Sequence, residues 1–344
     1  MNLPGLIKKV ADGAELSQPD IEIACALLLD GDSPVEDRAA FLSALHRRGE
    51  TPAEIAHFVE VLLGHAVQLP FSGKARLDVC GTGGDRAGFF NISTAVMFVA
   101  AGAGASVVKH GNRGITSKSG GADVLEALGV NINLPPDRAT APLERAGCCF
   151  LFAPACHPAF KAVVPVRQLL AQQGQASVFN IIGPLLNPVR PEFQLSGVFD
   201  PSLLATYAGV FQKLGRQRAW AVHGTGPEGL RVDEVSPLGK TKVHSVDAAG
   251  MREFEIDPAD FGLSNISASD LLGGDATTNA QILLAILDST DRGPKRQTVQ
   301  LNAAAALTVA GLAPSLIEAW ALPGASIDSG RAMNSLEQLR ACTQ

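Results

Sequence analysis

The sequence predicts an α/β protein, with a small N-terminal helical domain and a larger α/β domain on a mostly parallel central sheet. Three observations carry this. Residues 1 to about 66 show only helical periodicity. From about residue 70, short apolar runs alternate with Gly-rich turns and helical stretches, the pattern of parallel strands joined by crossovers. The 344 residues are 46% hydrophobic and 18% charged, enough apolar material for one large core or two unequal ones and too much for disorder. The expected division is 1–68 for the helical domain, with a later helical contribution near 165–188, and 69–344 for the α/β domain.

The elements follow in order. In Pro19–Asp30, Ile21, Ala24, Cys25 and Leu28 share a helical face; Ser17 caps its start, Asp20 lies in the first turn, and Gly31 ends it. Pro34–Arg48 places Ala39, Leu42 and Leu45 at similar spacing and stops at Gly49. Thr51-Pro52-Ala53-Glu54 opens a third helix with Thr51 as N-cap, Pro52 at N1 and Glu54 at N3, and the apolar face is Ile55, Phe58, Val59 and Leu62. Leu77–Cys80 reads as a strand running into Gly81–Asp85, then Ser93–Ala103 as a helix. Ser106–Lys109 is the next strand, and Gly121–Leu128 a helix with Gly129 as its C′ residue. Phe150–Phe152, Ala219–Val222 and Lys242–Val246 read as further strands. In a parallel sheet, ligands bind at the carboxyl ends of strands, where both Gly-rich loops fall.

Composition excludes several functions. The longest weakly polar run, Thr94–Val108, falls short of the ~18–20 apolar residues of a membrane span. The start, MNLPGLIKKVADGAELS, has no apolar signal region. Six cysteines without a CxxC pair read as buried free thiols in a reducing cytoplasm. A net charge of −6, one Tyr and two Trp argue against nucleic acid as partner.

Four segments carry chemistry. Gly81-Thr82-Gly83-Gly84-Asp85, leading to Asn91-Ile92-Ser93-Thr94, points successive N–H groups at an anion ahead of a helix N-terminus. It is neither a Walker loop nor a dinucleotide fingerprint; Asp85 suits a ribose hydroxyl or a cation, and a structural turn is the plainer alternative. Lys109-His110-Gly111-Asn112-Arg113 and Ser117-Lys118-Ser119-Gly120-Gly121 interleave cations, hydroxyls and glycines, which suits a polyphosphate better than a solvated basic loop does. Asp233-Glu234 suits a hard cation such as Mg²⁺, held by one or two carboxylates plus substrate phosphates, although alone it also fits a surface acidic pair. Asn180–Pro188 is a rigid turn set by its Gly-Pro and Asn-Pro steps.

Over nearly its whole length the chain resembles the anthranilate phosphoribosyltransferase family of tryptophan synthesis. The matching pieces are RGETPAEIA (48–56), DVCGTGGD (78–85), NIST (91–94), KHGNR (109–113), SKSGGADVLEALG (117–129), FLFAP (150–154), PVR (165–167), FNIIGPLLNP (179–188), DEVS (233–236) and LNAAAALTVAGLA (301–313). The resemblance implies Mg²⁺-dependent transfer of phosphoribose from phosphoribosyl diphosphate to the amine of anthranilate, by a cytoplasmic homodimer joined through its helical domain. It implies that Gly81, Thr82, Gly83, Gly84 and Asp85 surround the donor. Asn91, Ser93 and Thr94 would hold phosphate and Mg²⁺, and Lys109, Asn112, Arg113, Ser117, Lys118, Ser119, Gly120 and Gly121 would complete the donor site. Lys109 and Asp85 take the catalytic roles, Ser93, Asp233 and Glu234 the metal, and His110, Asn112 and His157 the small aromatic acceptor. An arylamine is a free nucleophile at pH 7, so alignment and electrostatics suffice without a covalent intermediate.

The chain departs from the family pattern in three places. The family carries an Arg in an R-T-x-F-N context before the GPLxNP turn, and that Arg grips the acceptor carboxylate; here Ala176 stands there, after a stretch about three residues longer, with Arg167 and Lys161 as other cations in the region. Arg86 and Phe89 replace a Gly and a hydroxyl residue in the first loop, and the loop before Asp233 is longer. These departures leave open a paralogue acting on another aromatic amine or nitrogen base, or a non-catalytic nucleic-acid-binding relative. The GTGGD and NIST elements fit a nucleoside phosphorylase of related fold less well.

Overall fold

The computed structural model describes every residue except 1, 70, 72, 74 and 115–117. Ser117, expected in the donor site, therefore lies outside the described residues.

Helix starts are set locally. α1 (Leu3–Ala11) begins where the Asn2 side chain accepts the Gly5 N–H at 3.1 Å. Ahead of α2 (Gln18–Leu29), the Asp20 carboxylate accepts from the Ser17 N–H at 2.9 Å and from Lys9 of α1 at 2.5 Å, so one acid both caps α2 and ties it to its neighbour. α3 (Val35–Arg48) stops at Gly49, whose φ of +90° favours glycine. α4 (Pro52–Gly64) has the expected reciprocal cap: Thr51 Oγ1 accepts the Glu54 N–H at 3.3 Å and Glu54 accepts the Thr51 N–H at 2.9 Å. All the apolar positions expected on these helix faces are buried.

The sheet then builds by alternation: β1 (Leu77–Val79), α5 (Ile92–Gly102), β2 (Val107–Gly111), α6 (Gly121–Ala127), α7 (Pro142–Ala146), β3 (Cys148–Phe152), α8 (Ala153–Cys156) and α9 (Val164–Gln172). β4 (Phe193–Gly197), α10 (Leu203–Lys213), β5 (Arg218–Thr225), β6 (Arg231–Val232), β7 (Thr241–Asp247) and β8 (Gly250–Ile256) follow. The chain closes with α11 (Ala276–Leu287), α12 (Pro294–Val309), α13 (Leu316–Ala319), α14 (Ala321–Asp328) and α15 (Arg331–Thr343). The strand order is β3-β2-β1-β4-β5-β7-β8, with β6 paired to β5. β3 through β5 pair in parallel, whereas β5, β7 and β8 pair antiparallel. The 226–240 connection is taken up by a turn at Pro227–Gly229 and by β6 on β5, with no crossover helix, so β7 returns antiparallel to β5.

Two main cores support this frame. One packs α5 and α12 with the sheet and the C-terminal helices, and α12 is buried almost all round. The other joins α1–α4 to α9, residues 178–186 and α10, so the chain returns to the helical region after β3. β1 and β2 are adjacent and parallel, which places both Gly-rich loops at the same carboxyl edge. Among the described residues no helix is long and apolar enough to cross a membrane, and all six cysteines are free.

Candidate active site

The loop after β1 is fixed by the acidic pair opposite it. Gly83 N–H donates to Asp233 Oδ2 at 2.7 Å, and Asp233 N–H faces Asp85 Oδ2 at 3.4 Å. Thr82 is engaged on both sides, its N–H with the Gly197 carbonyl at 2.9 Å and its Oγ1 with the Phe199 N–H at 3.0 Å. Close backbone approach requires glycine here: a Cβ on Gly197 would lie 1.5 Å from the Asp233 carbonyl, and one on Gly81 2.7 Å from Asp233 Oδ2. The longer loop before Asp233 does not displace the pair, because its extra length is taken up in a turn at Pro227–Gly229 and the β5–β6 hairpin. Asn302 of α12 also clamps the following Val235, with bonds of 2.8 Å to its N–H and its carbonyl.

The carboxylates meet more negative charge than the site neutralises. Burial raises the Asp233 carboxyl well above its usual range, and the charges of Asp85 and Glu234 add to this. Burial pushes Glu234 up to about 7, with the Lys109 charge opposing it. Lys109 is buried, and its ammonium donates to the Val79 carbonyl and, at 3.1 Å, to Ser93 Oγ. Its charge therefore acts from beneath the loop. Among the described residues no three His, Cys, Asp or Glu groups form a metal cage. This donor set, hard oxygens around an underneutralised pair, fits Mg²⁺ completed by water and phosphate.

The second loop is organised by Asp123, a residue that sequence reasoning passed over. Its carboxylate accepts the N–H groups of Gly114 and Gly120 at 2.9 and 2.8 Å and closes the loop on itself. Arg113, expected at the donor, pairs with Asp123 and Glu126 and stacks 5.5 Å over the Phe152 ring. Lys118 is exposed, and Thr94 is buried under Gly121. Asn91 stands at the N-cap of α5, but its side chain makes no cap bond: its amide donates to the Ser119 carbonyl at 3.2 Å, and its Oδ1 accepts from Asn279 at 2.7 Å. Asn112 accepts the Ala122 N–H at its carbonyl, 3.3 Å away. Phe89 and Phe90 are tied to Leu272 and Leu271 respectively, and Arg86 takes φ +59°, a left-handed conformation natural to the Gly that the family carries there.

His110 and His157 stack edge-on with ring centroids 5.2 Å apart. His157 Nε2 donates to the Leu186 carbonyl at 2.8 Å, and His110 bonds the Gly183 carbonyl. Each ring thus gives its N–H to a carbonyl of the 183–187 turn, leaving His110 Nε2 and His157 Nδ1 buried and unpartnered. Burial pushes His110 down to about 3 and lowers His157, so both rings are neutral and both free nitrogens carry lone pairs. Asn187 holds the turn to the sheet, donating to Asp78 Oδ2 at 2.9 Å and to the Val108 carbonyl at 2.8 Å. Phe160 and Phe179 extend the ring system, with centroid separations of 5.0 Å (His157–Phe160) and 6.0 Å (Phe160–Phe179).

Arg167 of α9 is exposed and has no hydrogen-bond or ion-pair partner among the described residues, yet desolvation lowers its guanidinium below the usual range. Ala176 sits elsewhere: it is exposed, and Gln175 beside it bonds Ser43 of α3.

The chain matches the family model described as "Glycosyl transferase family, a/b domain" over residues 73–333 and the "helical bundle domain" of the same family over 4–66. It is 44% identical to the anthranilate phosphoribosyltransferase of Syntrophomonas wolfei, over 97% of this chain and 95% of that one. It is 44% identical to the Caulobacter vibrioides enzyme of that name, over 98% and 96%. The crystal structure of anthranilate phosphoribosyltransferase from Thermus thermophilus is similar with a TM-score of 0.90 and 38% identity, covering 98% of this chain and 99% of that one. The Saccharomyces cerevisiae enzyme, in complex with PRPP and Mg, is similar with a TM-score of 0.87 and 28% identity, covering 99% and 97%.

Proposed function

The chain belongs to the anthranilate phosphoribosyltransferase family of glycosyl transferases, and from that premise we propose that it transfers phosphoribose from 5-phosphoribosyl 1-diphosphate to the amine of anthranilate. The observation that carries this reading is the convergence, at the carboxyl edge of β1 and β2, of an anion-binding loop, an underneutralised carboxylate pair and two neutral histidines.

The Gly81–Asp85 loop and the loop closed by Asp123 bind the donor phosphates. Asp233 and Glu234, with Ser93, would hold Mg²⁺, which would supply positive charge for the departing diphosphate. Lys109 adds fixed positive charge beneath the same oxygens, and Asp85, which accepts the Asp233 N–H, orients the donor ribose. The C1–O bond breaks toward diphosphate while the arylamine nitrogen bonds to C1, and the surplus amine proton leaves to the diphosphate or to water. His110 Nε2, with Asn112 beside it in sequence, accepts a hydrogen bond from the amine and aims its lone pair at C1. With a pKa of about 3, His110 serves as a hydrogen-bond acceptor, not a strong base, so alignment supplies most of the effect. Arg167, unpaired among the described residues, takes the carboxylate contact expected of position 176.

The proposal extends to a homodimer in the cytoplasm. Sedimentation reads the assembly. The activity test is loss of anthranilate fluorescence in the presence of phosphoribosyl diphosphate and Mg²⁺. Turnover on the order of 1–10³ s⁻¹ is expected, with strong loss in Asp233→Asn and Lys109→Ala. Donor binding without anthranilate turnover would assign the protein another acceptor.

A further inference from the structure

We propose that Asn279 is a positioning residue that locks the two donor loops into one frame. This rests on the donor reading above. Asn279 lies in α11, outside every motif that the sequence singles out, and is 2% exposed. Its amide meets one residue from each loop: Nδ2 donates to Asn91 Oδ1 at 2.7 Å and to Ser119 Oγ at 2.9 Å. The remaining oxygen accepts the Gly274 N–H at 2.8 Å, which orients the amide so that its donors point at the loops.

The segment ahead of α11 grips the same region through its backbone. Phe90 N–H donates to the Leu271 carbonyl at 3.1 Å and Gly273 N–H to the Gly88 carbonyl at 3.0 Å. A Cβ on Gly273 would lie 2.7 Å from Phe90 Cα, so this approach is open only to glycine. The backbone clasp holds the first loop alone, whereas the Asn279 side chain reaches both and braces the direct Asn91–Ser119 contact, in which Asn91 Nδ2 donates to the Ser119 carbonyl and Ser119 Oγ to Asn91 Oδ1, each at 3.2 Å.

The chemistry selects Asn over its isostere. Both contacts to the loops are donated, and a carboxylate would set an oxygen against Asn91 Oδ1. A donor with phosphate at both ends of a ribose spans the two loops, so its affinity depends on their spacing. The acceptor touches neither bond.

The test is steady-state kinetics with calorimetric binding of phosphoribosyl diphosphate plus Mg²⁺, on the parent, Asn279→Ala and Asn279→Asp. Both variants should raise the donor KM roughly tenfold or more. The anthranilate KM at saturating donor should stay within twofold. The Asp variant should recover toward the parent as the pH falls and its carboxyl takes a proton, each compared with the parent at the same pH. Asn279→Ala should not recover, which separates hydrogen-bond direction from general loosening of the fold. Folded variants with donor KM within twofold of the parent would overturn the proposal. So would a parallel loss for both substrates, or failure of both variants to fold, which would assign Asn279 to the fold. A parent that binds no donor would overturn the functional reading itself.

Discussion

Arg167 is the side chain to which the proposed function assigns the gap in the sequence pattern. The family's arginine before the GPLxNP turn is absent, and Ala176 in its place stands beside a contact to the helical domain. Arg167 instead offers an unpaired, partly desolvated guanidinium on the helix that follows His157 and Phe160. A planar fork grips a carboxylate through two parallel bonds, which Lys cannot reproduce. Arg167→Ala should therefore raise the anthranilate KM while leaving the donor KM unchanged. Losing charge-assisted bonds worth ~1.5–3 kcal/mol corresponds to roughly 10- to 150-fold. Arg167→Lys should recover little of this. An unchanged anthranilate KM in Arg167→Ala would return the carboxylate contact to another cation, such as Lys161.

At the scale of elements, helix termini carry stability that can be tested. Glu54 is 1% exposed, yet its carboxylate accepts the N–H groups of Leu16 and Thr51 and pairs with Arg48. Burial pushes its carboxyl up, but these partners outweigh burial and hold it below the usual range. Glu54→Ala leaves Arg48 and two N–H groups short of an acceptor, so it should cost about 3 kcal/mol in urea unfolding. Thr51→Ala, which removes one cap bond, should cost about 1 kcal/mol. This box was legible in the sequence because a cap is a local device: Thr51, Pro52 and Glu54 announce it at fixed spacing. The carboxyl edge of β1 and β2 was legible for the same reason, with each Gly-rich loop following its own strand. The antiparallel half of the sheet was not, because 219–222 and 242–246 have the same local pattern whichever way they pair. Asp123 and Asn279 also escaped notice. The loop partners of Asn279, Asn91 and Ser119, lie at positions that only the fold brings near, whereas Asp123 bonds residues three to ten positions back, and its N-cap, Gly120, carries no side chain to announce the turn.

Across the whole molecule, stability must depend on pH through the buried histidines. His110 has a folded-state value of about 3, against about 6.5 in an unfolded chain. Below pH 6.5 the unfolded chain takes up a proton that the native site refuses. The unfolded state then binds more protons, and stability falls as the pH falls. The window runs from about 6.5 down to about 3, with a limiting slope of about 1.4 kcal/mol per pH unit for this one group. Between pH 7 and pH 5 the loss from His110 is therefore about 2 kcal/mol, and His157, lowered by the same burial, adds to it. Buried carboxylates titrate in the same window, with Glu234 pushed up to about 7 and Asp78 to about 6, so their contribution is subtracted by comparing the parent with His110→Asn, which has no proton to take up. Urea midpoints at pH 7 and pH 5 should separate the two proteins: the parent should lose more stability than the variant by about the His110 share. Equal losses would mean that the native protein protonates His110 as readily as the unfolded chain does, and the neutral lone pair assigned to the arylamine would go with it. The same neutrality predicts that anthranilate turnover carries no ionisation near 6.5 from this ring. One buried pair thus links the acid limit of the fold to the chemistry at its carboxyl edge.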